Sequence, residues 1–176
     1  MAPTRIDQIL GEISDAKDLK ALDISAGAIF DKVAKLAAHL ADRAEACIVL
    51  VLRDRYFPIG RHGDSGWFKK IQAPSRDINS LPSLLDVPDG DAFFGIEGEH
   101  IYDDGKEFKP SSMTFVALGS EGARFGALLV FDFEKKGALS PEVKDELMLV
   151  GQLVSHLIEV NSSMRMLKMD LDQLLD

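Results

Sequence analysis

Arg61, His62, Asp64 and Trp67 crowd into one short stretch, and their types suit the capture of a small molecule. A guanidinium forks onto carboxylate or phosphate oxygens. An imidazole offers both a donor and an acceptor, and an indole supplies a flat apolar wall. Together they could rim a pocket for a small anionic or planar ligand. Phe94 and Glu97, with Phe93 and His100, are the candidate facing wall. In a regular strand, alternation puts Phe93 and Glu97 on one face and Phe94 and His100 on the other, so Glu97 and His100 would not converge. The competing reading is a loop with exposed charges and a tryptophan that plugs the core.

Catalytic constellations are not seen. Cys47 is the single cysteine, so one chain can form no internal disulfide, thiolate zinc cluster or two-cysteine redox pair. It sits inside an apolar run, where a thiol is buried and inert. His39, His62, His100 and His156 are far apart in sequence and form no H-x-x-x-H pair. There is no G-x-S-x-G, and Gly60-Arg61-His62-Gly63 lacks the glycine spacing of a phosphate cradle. The expectation is a protein that is not an enzyme, with no metal.

The chain has 176 residues, 46% of them hydrophobic and 28% charged, a globular composition large enough for a core of its own. With 20 basic and 29 acidic side chains the net charge is −9. Such a surface repels phosphate backbones and anionic lipid, so neither nucleic acid nor membrane is expected as a partner. No apolar run resembles a signal peptide or a membrane span. A cytoplasmic location is expected.

The elements that must position these groups follow from periodicity. Ile6, Ile9, Leu10 and Ile13 predict a short helix over 4–14. Ile29, Phe30, Val33, Leu36, Ala37 and Leu40 predict a second, capped by Asp23 or Ser25. The run 46–52 reads as a strand and pairs in a hairpin with 56–60, where Pro58 demands an edge. Residues 62–91 are broken by glycine and proline, with short helices expected at 66–71 and 81–85. A strand is expected within 92–102, and two clear ones at 113–118 and 125–133, joined by the turn-rich 119–124.

Strict alternation over 125–133 puts Phe125, Ala127, Leu129, Phe131 and Phe133 on one face, and Gly126, Leu128 and Val130 on the other. Both faces are apolar, so the sheet is covered on both sides. The expected fold is α/β (α+β): an antiparallel central sheet of about five to six strands. Long helices lie on one face, and short helices and loops cover the other. A pocket is expected under that looser cover.

Ser140-Pro141-Glu142 is an N-cap serine, a first-turn proline and an early acid, a clear helix start. From there Val150, Leu153, Leu157, Val160, Met164, Leu167, Leu171 and Leu174 recur at alternating threes and fours. That is the 3.5-residue seam of a left-handed coiled coil. Residues 1–160 read as a single domain with its N-terminal helices, and 161–176 as an extension of the closing helix. Leu157, Val160, Met164, Leu167, Leu171 and Leu174 are the candidate homodimer contacts.

The order of elements resembles a GAF domain. The likeness rests on Ser112-Met113-Thr114-Phe115-Val116-Ala117-Leu118, then Glu121-Gly122, then Arg124-Phe125-Gly126-Ala127-Leu128-Leu129-Val130-Phe131-Asp132. The helix 139–153 is similar to that family's closing helix, and residues 25–160 are covered. A PAS domain is the nearest competitor. The resemblance implies a sensory or dimerisation module, often joined to a kinase, cyclase, phosphodiesterase or transcription factor. The Asn-Lys pair of cyclic-nucleotide-binding members is missing. Cys47 stands where bilin attachment is not expected, and the reductases of the fold use several cysteines. The expected function is a GAF-like regulatory module of cytoplasmic signalling. It would bind an unidentified small molecule, form a homodimer, or do both, and transmit through its C-terminal helix to an output signalling domain if the chain is a fragment. The alternatives are a ligand-free dimerisation domain and a small GAF-fold enzyme.

Overall fold

The computed structural model describes residues 24–52, 55–66, 77–88, 102–103, 106–107 and 110–175. Helix α1 spans Ile24–Leu40 and leads into strands β1 (Glu45–Leu52) and β2 (Arg55–His62). A 3-10 helix (Ile78–Ser80) precedes β3 (Leu84–Val87). The two-residue strands β4 (Tyr102–Asp103) and β5 (Lys106–Glu107) form a separate ribbon. Strands β6 (Ser112–Ser120) and β7 (Ala123–Asp132) precede the long helix α2 (Pro141–Leu175).

Five strands form one sheet in the order β2-β1-β7-β6-β3, each neighbour pair antiparallel. Among the described residues the fold is α+β, a five-stranded sheet with two α-helices. Pro58 takes an edge strand, as its missing N–H requires. The register of β1 with β2 slips there, pairing Ile48 with Gly60 but Val49 with Pro58, so Ile59 is a bulge.

Both faces of the sheet are buried. Ala46, Ile48, Leu50, Val116, Leu118, Leu128 and Val130 pack against α1 and α2. Cys47, Val49, Met113, Phe115, Ala127, Leu129 and Phe131 form the opposite cluster with Ile78, and Leu81 and Leu85 pack against it. The predicted helix over 4–14, the region 67–76 and the strand within 92–102 lie outside the described residues, apart from Tyr102 at the end of the last.

Two expectations are corrected. Residues 81–85 hold no helix: Leu81 is extended (φ −85°, ψ 152°) and Leu84–Val87 pair with β6. Proline 82 explains this, because its ring disfavours a helical Leu81. Strict alternation also misplaces Phe125. Leu118 pairs with Gly126 but Gly119 pairs with Arg124, leaving Phe125 as a bulge. The bulge turns Phe125 onto the helix face, while Ala127, Leu129 and Phe131 stay on the other.

The helices lie close because small residues line the contacts. Ala34, Ala37 and Ala38 of α1, and Ala41 just past its end, are buried. On α2, a Cβ at Gly151 would come within 2.8 Å of Val116, so only glycine lets the helix settle onto β6 there. Ser140 accepts from the Val143 amide (3.3 Å), and Pro141 opens the helix.

Candidate functional site

The structure separates the expected pocket rim. Arg61 and His62 end β2, opposite Cys47 and Ala46 respectively. Cross-strand partners share a face, so Arg61 belongs to the cover side with Cys47 and His62 to the helix side with Ala46. The exposed Arg61 donates its amide to Asp31 Oδ1 (2.8 Å). His62 meets His39 of α1 edge to face, ring centroids 5.9 Å apart, a proximity that the sequence separation concealed. Trp67, Phe93, Phe94, Glu97 and His100 lie outside the described residues. Among the described residues, no group of three histidine, cysteine or acidic side chains could hold a metal ion.

Cys47 is fully buried, and burial first, then the neighbouring Glu45 carboxylate, push its thiol well above the ordinary cysteine range. A neutral thiol inside a sheet is not a nucleophile. Glu45 accepts from the amide (2.9 Å) and hydroxyl (2.6 Å) of Ser65, anchoring the chain beyond β2. Asp132 accepts from the amides of Ala44 and Glu134 (2.9 Å each) and so fastens the end of β7 to the start of β1.

Three polar side chains that sequence reasoning missed fasten the sheet to the segments that flank it. Arg124 is 9% exposed and donates from its guanidinium to the Ile78 (3.3 Å) and Leu81 carbonyls and to Ser83 Oγ (3.3 Å). Its amide donates to Asn79 Oδ1 (3.1 Å). Asp86, with a nearly buried carboxylate, accepts from Thr114 Oγ1 (3.0 Å) and the Leu139 amide (2.8 Å), with Lys144 at 3.8 Å. Ser155 accepts from the Gly119 amide (3.0 Å) and donates to Gly151 O (2.9 Å). Each joins segments far apart in sequence.

An open groove of about 370 Å³ runs between β6 and α2. Val116 and Met148 give it apolar surface, and Gln152, Ser155, His156 and Glu159 make a polar wall. It lies on the helix side of the sheet, whereas the pocket was expected under the cover.

Helix α2 carries two apolar rows. Leu147, Val150, Val154 and Ile158 are buried against the sheet and α1, and Leu157 packs beside them. Leu149, Leu153 and Val160 are 63%, 48% and 40% exposed. By helical phase, this second row lies away from the groove flank of Met148, Gln152 and Glu159, on the side of α1. There α1 leaves Ile29 and Leu36 47% and 48% exposed, on the flank opposite Asp31, which binds β2. The backbone of α2 stays helical through Leu175, carrying Met164, Leu167, Leu171 and Leu174 along it.

Solved structures place this architecture. The GAF domain of a protein assigned as a sensor histidine kinase from Pseudomonas syringae pv. tomato superposes with a TM-score of 0.61 at 16% identity, covering 91% of each chain. The GAF domain of a phosphoenolpyruvate-protein phosphotransferase from Coxiella burnetii gives 0.59 at 10% identity, over 89% of this chain and 94% of that one. A type II free methionine-R-sulfoxide reductase from Thermoplasma acidophilum gives 0.56 at 14%, over 78% and 94%. No family's sequence model matches the chain, and no curated protein matches it. At these identities the likeness is one of fold, and the chain has the GAF fold.

Proposed function

We propose that the protein is a sensory or regulatory module of cytoplasmic signalling that works as a homodimer and transmits through α2. One observation carries this reading: α2 keeps a second apolar row, Leu149, Leu153 and Val160, exposed beside Ile29 and Leu36 of α1. Leu153, Val160, Leu167 and Leu174 recur every seven residues, the repeat that a second helix buries. The helix, 35 residues or roughly 50 Å long at ~1.5 Å per residue, outruns the sheet that it covers. Two copies facing each other through α1 and α2 would form a four-helix bundle that continues as a two-stranded seam through Met164, Leu167, Leu171 and Leu174. Solved GAF structures that include a protein assigned as a sensor histidine kinase support the regulatory part of the reading.

Light scattering of the purified chain tests it. The wild type is expected at twice the chain mass, and the Leu153→Glu/Val160→Glu double variant at the chain mass with unchanged circular dichroism. A wild type that stays monomeric at about 100 μM, a concentration at which even weak specific pairs with micromolar Kd associate, sinks the dimer. The ligand-free alternative draws on the cover-side cluster, where Cys47, Val49, Phe115, Ala127, Leu129 and Phe131 are all fully buried. Native mass spectrometry separates the two: a retained small molecule supports sensing, and bare chain mass supports the structural dimer.

A further inference from the structure

We infer that Arg124, its cross-strand partner Gly119, and Ser155 form one link that couples segment 77–83, on the cover side of the sheet, to helix α2 on the opposite side. The inference rests on the reading that α2 carries the output, and it names the route by which the cover would reach that helix.

The link begins in a segment with little regular structure. Asp77 caps the 3-10 helix through the Asn79 amide (3.0 Å), and Asn79 in turn receives the Arg124 amide. The Arg124 guanidinium holds the Ile78 and Leu81 carbonyls and the Ser83 hydroxyl. A rigid planar fork fixes several acceptors at once, so segment 77–83 cannot shift without moving Arg124.

Arg124 is the cross-strand partner of Gly119. That glycine sits at φ 94°, and a Cβ there would meet Ala123 O at 2.6 Å and the Phe125 ring at 2.8 Å. Only glycine fits at that close approach, and it keeps β6 and β7 paired through the bulge. On β6 the amides of Ala117 and Gly119 serve the same edge. Ala117 donates to Ser83 O (2.8 Å), and Gly119 donates to Ser155 Oγ. Segment 77–83 and α2 thus hold successive amides of one strand. Ser155 closes the link by donating to Gly151 O, one turn back on α2, where the helix lies close against Val116 and Ala117.

Hydrogen exchange by mass spectrometry on the full chain tests the coupling. Arg124→Lys keeps the charge and loses the fork. It is expected to speed exchange in 77–84 and also, at least fivefold, in α2 around 151–158. Ser155→Ala is expected to speed exchange at Gly119 and in 77–84, although Ser155 is hydrogen-bonded to Gly119 and not to that segment. Ser155→Thr, which keeps the hydroxyl, should restore wild-type rates, and the Arg124→Lys/Ser155→Ala pair should exceed neither single variant by much. If Arg124→Lys fails to fold, Asn79→Ala, at an exposed position, tests the same link from the cover end. Changes confined to each variant's own element, or a double variant that is additive, overturn the coupling. The oligomeric state of each variant is read in parallel by light scattering. Lost coupling with an intact dimer condemns the link alone, and a monomeric wild type condemns the dimer.

Discussion

The two faces of the sheet are equally dry and are held in different ways. On the helix face, shape does the fastening: the buried alanines of α1 and Gly151 of α2 let the helices lie close on the strands. On the other face, Cys47, Val49, Phe115, Leu129 and Phe131 are just as buried, but Ile78 and Leu81 are held over them by hydrogen bonds from Arg124. Interdigitated packing resists sliding because any shift opens a void. A segment fastened by the Arg124 guanidinium and by the amides of Arg124 and Ala117 depends on a few polar contacts instead. Similar apolar content on the two faces is therefore held on one side by close packing and on the other by a small polar network.

Three measurements break or sharpen this contrast. Phe131→Ala, on the cover face, should cost about 3–5 kcal/mol in urea unfolding. A loss below about 1 kcal/mol, the ordinary scale of surface changes, would mean that the cover face is not a packed core. Leu147→Ala, on the helix face, should cost about 2–5 kcal/mol, and fall toward the upper end because the close-set helix can collapse little. A much smaller cost would take rigidity away from that face.

The third and smallest effect is a pH dependence centred on Cys47. Its thiol stays protonated in the folded state, while the unfolded chain ionises from about pH 8.5. Above that pH the native state binds more protons than the unfolded one, so stability falls as pH rises, by up to about 1.4 kcal/mol per unit. Below it, the contribution is fully present. Wild type should lose stability more steeply than Cys47→Ala between pH 8 and 10, and parallel curves would contradict the burial of the thiol.

Much of the fold was legible because single signals dominated locally. The runs in β1, β6 and β7 admit no helix of useful length, and Pro58 could only be an edge residue. Ser140-Pro141-Glu142 started α2 where the sequence placed it. The Glu142 carboxyl is held below its ordinary range by its own backbone amide first and by Ser140 next. Strand β3 was hidden because four residues beside a proline carry too little pattern, and pairing with β6 decides their state. The bulge at Phe125 was hidden for a subtler reason. Alternation assumes an unbroken register, and one unpaired residue reverses the facing of everything before it. The same bulge brings Arg124, which the sequence placed in a turn-rich connector, to the cover side. Ser155 gave no signal, since a mid-helix serine has no sequence signature until its neighbour is known. Of the expected rim, Arg61 and His62 were found on opposite faces because adjacent strand residues diverge.

The margins of the sheet carry one more consequence. Along β2, the bulge at Ile59 falls beside a proline that has no amide to offer. Along the other margin β3 is four residues long, and where it stops, Ser155 already occupies the Gly119 amide. Among the described residues, a four-residue strand on one side and a bulged, proline-bearing strand on the other make poor templates for a neighbouring chain that would extend the sheet. Such margins disfavour ribbon-like polymerisation in a concentrated solution, and the homodimer proposed above would meet through the helical layer instead.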